Sequence, residues 1–324
     1  MRHLRILISV SSHGWGHAAR QRELVRLLSS TVPDLEIHVA SGAPQWFWHG
    51  SPVTRLHPPS FSPLPVDSGG DVDLKLTESA LLSFASDMQR NLEIERARIR
   101  LLSPDMLVSD VDPLPVLACS DLGIPAFVMG NFSWDWIHAN LFPGRSAECS
   151  LISAAYSRAT YLRLPMGPGY SPCLKTVDMP LLPGGPPGDA VRARILTGPR
   201  PYTLLAFREM PVGGIPDTRG EFTVASTESN LLNAKHFIPH QDMLRAGVSF
   251  SDLIAGANKV VCKAGYGILS QLLAEGRDAV VLAGRRFPEE PFLLEGWKRL
   301  REGRLPGEQV RNEFLTAFIH ASGL

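Results

Sequence analysis

Ten residues near the start of the chain, Ser11-Ser12-His13-Gly14-Trp15-Gly16-His17-Ala18-Ala19-Arg20, carry the densest chemical signal. Gly14 and Gly16 let the backbone turn sharply and approach a ligand. The helix start that follows presents free N–H groups and a positive dipole to an anion or a polar ligand. His17 stands in that opening turn, where the dipole lowers its pKa and favours the neutral base. His13, Trp15 and Arg20 supply further groups for binding. The pattern is not the dinucleotide fingerprint G-x-G-x-x-G, because position 19 is alanine.

A second glycine turn, Lys263-Ala264-Gly265-Tyr266-Gly267-Ile268-Leu269-Ser270-Gln271, again separates an apolar strand from a helix start. Its backbone amides suit a diphosphate, and Lys263 adds charge. Asn131-Phe132-Ser133-Trp134-Asp135-Trp136 reads either as a surface that stacks and hydrogen-bonds a sugar or as a core aromatic cluster. In Phe287-Pro288-Glu289-Glu290-Pro291 the acids either bind hydroxyls or favour a helix N-terminus. Asp110-Val111-Asp112 closes a strand; positioning a substrate, or capping the helix after Pro113, suits it better than metal binding. The candidate catalytic set is His17, Asp110 and Asp135.

The elements that must position these residues alternate. Apolar runs predict strands over 5–10, 35–40, 52–57, 106–110, 126–130 and 161–164. Helical spacing predicts helices over 17–30, 76–102 and 114–122. Residues 58–73 read as a loop. Residues 165–201 hold 9 of the 27 prolines and 6 of the 28 glycines, which predicts an interdomain linker. Beyond it, strands are predicted over 202–207, 221–226, 235–239, 259–263 and 278–283. Helices follow over 251–257, 268–275, 289–301 and 308–320. The expected fold is α/β: two Rossmann-like parallel-sheet domains, 1–164 and 202–324, facing a cleft, with the last helix returning to the first domain. Only residues 208–220 connect the first two strands of the second domain, so that domain reads as shortened.

Composition excludes several classes. The 324 residues carry 32 basic and 32 acidic side chains. Splitting after Pro165 gives 14 basic and 16 acidic, then 18 and 16, so neither half has the basic excess a nucleic-acid binder uses. At 44% hydrophobic the chain folds. Cys119, Cys149, Cys173 and Cys262 show no metal spacing and read as reduced thiols of a cytoplasmic protein. No run reaches the ~18 apolar residues of a membrane span. Composition neither demands nor excludes peripheral membrane contact. No metal or resident cofactor is expected.

The G-x-G-H-x-x-R start, the N-F-S-W-D-W stretch and the K-x-G-Y-G-I turn resemble GT-B glycosyltransferases. The likeness is to the bacterial group that resembles the N-terminal region of plant arabinokinases and, more distantly, the N-acetylglucosaminyltransferase of peptidoglycan synthesis. It covers roughly residues 5–164 and 200–300. It implies a nucleotide sugar, usually UDP-linked, held by the second domain, and an acceptor against the first. His13, Gly14, Trp15, Gly16, Arg20, Asn131, Trp134 and Trp136 then belong to the acceptor side, with His17 as base or acceptor-positioning group. Arg208, His240, Lys263, Gly265, Tyr266, Gly267, Ile268, Ser270, Gln271 and Glu289 belong to the donor side. Gln271 departs from the family's glutamate, which binds ribose hydroxyls. Nucleotide-sugar hydrolysis and non-catalytic binding are the alternatives.

Overall fold

The structure, a computed structural model, describes residues 3–68, 71–206, 222–225, 236–284, 286–303 and 307–324. Its described residues divide into two compact units. One comprises the chain up to Val66, Asp73–Leu182 and Arg311–Leu324; the other comprises Asp67–Val72 and Pro183–Val310.

In the first unit β1 (Leu4–Val10) leads through the glycine turn into α1 (Gly16–Thr31), then β2 (Leu35–Ser41), a short 3-10 turn (Gln45–Trp48) and β3 (Arg55–His57). The two-residue strands β4 (Asp67–Ser68) and β5 (Asp71–Val72) pair antiparallel and belong to the second unit. They stand where a plain loop is expected. The 29-residue α2 (Leu74–Leu102) starts at Asp73, whose carboxylate accepts the Leu76 N–H. Then come β6 (Met106–Asp110), α3 (Pro113–Asp121), β7 (Ala126–Gly130), α4 (Trp134–Leu141), α5 (Ser146–Tyr156), β8 (Thr160–Arg163) and β9 (Lys175–Asp178). The sheet order is β3-β2-β1-β6-β7-β8-β9, and every pairing is parallel. Such strands are covered on both faces, which is why Ile6, Leu7, Ile8, Leu107 and Val108 are fully buried and read as continuous apolar runs.

The order reverses between β1 and β6. This is the switch point at which doubly wound sheets bind ligands, beyond the carboxyl ends of the strands. α1 leaves β1 there and Asp110 ends β6 there.

The second unit holds α6 (Ala190–Thr197), β10 (Tyr202–Ala206), β11 (Phe222–Ala225), β12 (His236–Phe237), α7 (His240–Ala246), α8 (Phe250–Gly256), β13 (Lys259–Lys263), α9 (Tyr266–Ala274), β14 (Ala279–Leu282) and α10 (Glu290–Glu302). Its parallel sheet runs β12-β11-β10-β13-β14, with its own switch point between β10 and β13. The connection over 208–220, expected to be shortened, lies outside the described residues. α11 (Gly307–Ser322) ends the chain. From Arg311 onward it belongs to the first unit, where the Arg311 Nε donates to Glu23 of α1 at 2.9 Å with both side chains buried.

The stretch expected to be a linker differs from that reading. It contains β9 and α6, and the two units meet in sequence at Leu182–Pro183. Its glycines serve close approach. A Cβ on Gly184 would lie 2.1 Å from the Gly267 carbonyl oxygen, and one on Gly188 would lie 2.2 Å from that of Ser251. The proline-glycine run is therefore packed against α9 and α8 within the second unit.

Candidate active site

Gly14, at φ +71°, makes the turn out of β1 that an L side chain would strain. α1 then begins with Trp15 as N-cap and no side-chain cap, so its first amides are not closed off by a capping oxygen. His17 Nδ1 lies 2.6 Å from Asp110 Oδ1. Arg20 forks onto the same carboxylate, Nε to Oδ2 at 2.7 Å and Nη2 to Oδ1 at 2.5 Å, and Gln21 Nε2 donates to Oδ2 at 2.7 Å. Arg20 Nη1 reaches Asn131 Oδ1 at 3.1 Å.

Asp110 is fully buried. Burial alone would raise its pKa, but the Arg20 guanidinium and His17 hold it well below the usual carboxylate range. It is therefore an acceptor only, and Nδ1 of His17 carries the proton that points at it. The 2.9 Å approach of Arg20 Nη2 to Nδ1 is then a meeting of two donors on one oxygen. Burial lowers the pKa of His17, Arg20 lowers it further, and Asp110 acts in the opposite direction; the net shift is downward. The ring is the neutral tautomer with its lone pair on Nε2, and no described residue hydrogen-bonds that atom. His17 is 6% exposed.

Val111 follows at φ +53°, a left-handed conformation that a β-branched residue adopts at a cost of about 1–3 kcal/mol. Tyr156 Oη donates to its carbonyl at 2.6 Å. Gly130 is required beside it, since a Cβ there would lie 2.7 Å from Val111 Cγ1. The turn sends the two carboxylates apart. Asp112 is held by Ser9 Oγ at 2.7 Å and by Ser62, and its backbone N–H and C=O both bond Ser109 Oγ. Asp112 stands at the N-cap of α3, but its side chain makes no cap, which corrects the capping expectation. Among the described residues no group of acids, histidines and cysteines has metal-binding geometry.

Several expected roles change. Asp110 and Arg20, expected to touch substrate, are consumed by each other and by His17. Asp135 is buried and takes the Tyr170 hydroxyl at 2.8 Å; no hydrogen bond or ion pair joins it to His17. Trp134 is fully buried, packed by His13 at 5.5 Å, Phe132 at 4.9 Å and His17 at 6.0 Å. It packs behind the His17 ring and presents no exposed face on which a sugar could stack. Trp134, Asp135 and Trp136 sit on α4, which the aromatic spelling of the segment concealed. Trp136 is half-buried. Trp15 is half-buried too and meets Trp46 at 5.2 Å and Phe47 at 6.0 Å. Trp46 and Phe47 were missed by sequence reasoning; their signal is the run Gln45-Trp46-Phe47-Trp48 just after β2.

In the second unit, α9 starts at Gly265 with no side-chain cap. Gly265, Gly267, Ile268 and Lys263 are half-buried, while Tyr266 is buried. Ser270 is fully buried and its Oγ donates back to the Gly267 carbonyl at 3.1 Å, so the hydroxyl is turned into the helix. Gln271 is buried, its Nε2 donating to the Pro186 carbonyl and to Glu275 Oε1, both at 2.9 Å. Ser270 is thus tied within α9, and Gln271 fastens α9 to the Pro-Gly run. Glu289 is buried at the start of α10; its neighbour Glu290 accepts the Gly284 N–H at 2.7 Å. His240 opens α7, just after the strand expected over 235–239. Arg208 lies outside the described residues. Cys119, Cys149 and Cys262 are free and buried, and Cys173 is free and partly exposed.

The fold is that of the GT-B glycosyltransferases. Among solved structures, the glycosyltransferase VinC in complex with DTDP is 17% identical, with 98% of each chain covered and a TM-score of 0.55. A UDP-glucosyltransferase from Polygonum tinctorium capable of glucosylating indoxyl is 12% identical, covering 99% of this chain and 94% of that one, at a TM-score of 0.57. At these identities the likeness is one of fold. In sequence, the chain is 28% identical over 317 residues to the L-arabinokinase of Arabidopsis thaliana. That match takes in 90% of this chain and spans 29% of the relative's length. No protein-family profile matches. No helix of the described residues is long and apolar enough to cross a membrane.

Proposed function

We propose that the protein transfers a sugar from a nucleoside-diphosphate sugar to an acceptor hydroxyl, with His17 as the general base. The observation that carries this reading is the buried His17–Asp110 pair at the switch point of the first sheet. Nδ1 is occupied, the ring is neutral, and Nε2 is left to take a proton. The acceptor oxygen attacks C1 of the donor sugar as its proton passes to Nε2. The bond from C1 to the diphosphate breaks, and the diphosphate leaves with the electron pair. Asp110 stabilises the imidazolium that forms. The uncapped amides of α9 and Lys263 are the groups we assign to the departing diphosphate. Base and amides together supply the chemistry without a metal. Uridine diphosphate is the first donor nucleotide to test and thymidine diphosphate the second.

Half-buried Trp15, two residues before the base, meets half-buried Trp46 at 5.2 Å, and the two place flat apolar surface on the side we assign to the acceptor. The 6% exposure of His17 favours a second reading, hydrolysis of the same donor with water as the acceptor.

One experiment separates these. The full chain is screened by thermal shift against nucleotides and nucleotide sugars, and the donors that stabilise it are incubated with and without acceptors. Nucleoside diphosphate released only with acceptor marks transfer; release into water marks hydrolysis. His17→Ala lowers either rate by about two or more orders of magnitude while nucleotide binding survives. Unchanged turnover removes His17 as base. Nucleotide binding with neither release marks a binding protein.

A further inference from the structure

The mechanism uses Asp110 and leaves its neighbour Asp112 unexplained. Asp112 is 1% exposed. Its hydrogen-bonding partners are three serine hydroxyls: Ser9 on β1, Ser109 on β6, and Ser62 from the segment between β3 and β4. None is a cation. The charged or titratable groups acting on it are Asp110 two positions earlier, Glu95 of α2, itself paired with Arg98, and Tyr156 of α5. A buried carboxyl with hydroxyl partners and acidic neighbours is more stable neutral than charged. Its pKa is pushed up to about 7, first by burial and then by Asp110 and Glu95, against the serines.

Between the two acids Val111 is held left-handed, its carbonyl on Tyr156 and its side chain against Gly130. Such a conformation persists only where its surroundings over-determine it. Here the clamp on one side is the Asp110 network and on the other the serine cage of Asp112.

We propose that Asp112 is a positioning residue for the His17–Asp110 pair, acting through the left-handed Val111 turn, and that it does so as the neutral acid. In that form the carboxyl keeps its proton within the serine cage. When it ionises, the proton goes to solvent, both oxygens accept from Ser9 and Ser62, and a second negative charge appears beside Asp110. That charge shifts the titration of His17 and repels the Asp110 carboxylate across the Val111 turn, moving the His17–Asp110 pair off its geometry. The consequence is an alkaline limb in the rate profile that does not belong to His17 itself.

This role rests on His17 being the working base, but its central test does not. Carboxyl ¹³C and imidazole ¹⁵N resonances of the full chain are followed by NMR between pH 4 and 9, with His17 assigned through His17→Gln. The Asp112 carboxyl inflects near pH 7, and the His17 ring shows a second inflection at the same pH, above its own. Asp112→Asn, which keeps the shape and stays neutral, abolishes that second inflection, with a Tm at pH 6 within a few degrees of the parent. Ser62→Ala keeps the carboxyl, removes a group that lowers its pKa, and moves both inflections to higher pH together. A His17 ring blind to the Asp112 titration overturns the proposal, as does a second inflection that survives in Asp112→Asn. Where donor turnover is measurable, kcat/KM of the parent falls above pH 7 while that of Asp112→Asn stays level; equal alkaline limbs overturn it. Failure of all turnover with the NMR coupling intact indicts the reaction and leaves the positioning role standing.

Discussion

Arg20 closes on both oxygens of Asp110, Nε at 2.7 Å and Nη2 at 2.5 Å, and thereby holds the carboxylate that fixes Nδ1 of His17 and leaves Nε2 unused. A residue expected to contact substrate instead keeps its neighbour ionised in a site where burial opposes charge. Two expectations follow from this network, and a third from the packing of α9 within the second unit.

Asp110→Asn replaces an acceptor-only carboxylate with an amide whose Nδ2 faces a donor. Arg20 and Gln21 then lose acceptor capacity, and the His17 tautomer is no longer dictated. In a comparable buried His–Asp arrangement such a change costs on the order of 10⁴ in turnover. We expect a fall of at least ~10³ in the release of nucleoside diphosphate, with nucleotide affinity unchanged. A variant within tenfold of the parent would separate His17 from Asp110 functionally.

The protein loses stability as pH falls through two windows. His17 has a folded pKa below its unfolded 6.5, so the unfolded chain takes up its proton first. Stability falls as pH drops below about 6.5. Asp110 is depressed below its unfolded 3.8, and the stability it contributes is lost as pH falls below that value. Asp112 has the opposite sign: its raised folded pKa means stability declines as pH rises from about 4 to about 7. Urea midpoints measured from pH 4 to 9 check the His17 and Asp112 windows, and midpoints from pH 4 down to 2 check that of Asp110. His17→Gln flattens the descent below pH 6.5, and Asp112→Asn flattens the decline toward neutrality.

Gln271→Glu supplies the carboxylate that the resemblance leads one to expect for a ribose contact. In this chain it removes the donor to Pro186 and sets a second carboxylate against Glu275. We expect a loss of roughly 1–3 kcal/mol in unfolding free energy and no gain in nucleotide affinity by titration calorimetry. A tighter-binding, equally stable variant would return Gln271 to the donor site.

What the chain determines locally was legible before any coordinates. The apolar runs of β1, β2, β6 and β7 declare themselves because strands buried on both faces cannot alternate. The glycine turns before α1 and α9 declare themselves because Gly14 occupies φ +71° and Gly265 leaves a helix start uncapped. Strand–helix alternation then leaves little choice but doubly wound sheets. His17 was legible as the candidate base by its place in the opening turn.

Tertiary structure decided everything that depends on which polar groups spend themselves on each other. Arg20 and Asp110 lie ninety positions apart, so no spacing rule links them; only the parallel pairing of β1 with β6 brings them together. The same long-range packing buried Trp134 and Asp135 on a helix whose aromatic sequence resembled a binding loop. It turned Ser270 and Gln271 inward, and it made a packed seam of a proline-glycine run that composition alone reads as a linker. A side chain's type is local, but the atoms it has left for a ligand are what remains after its neighbours in the fold have been satisfied.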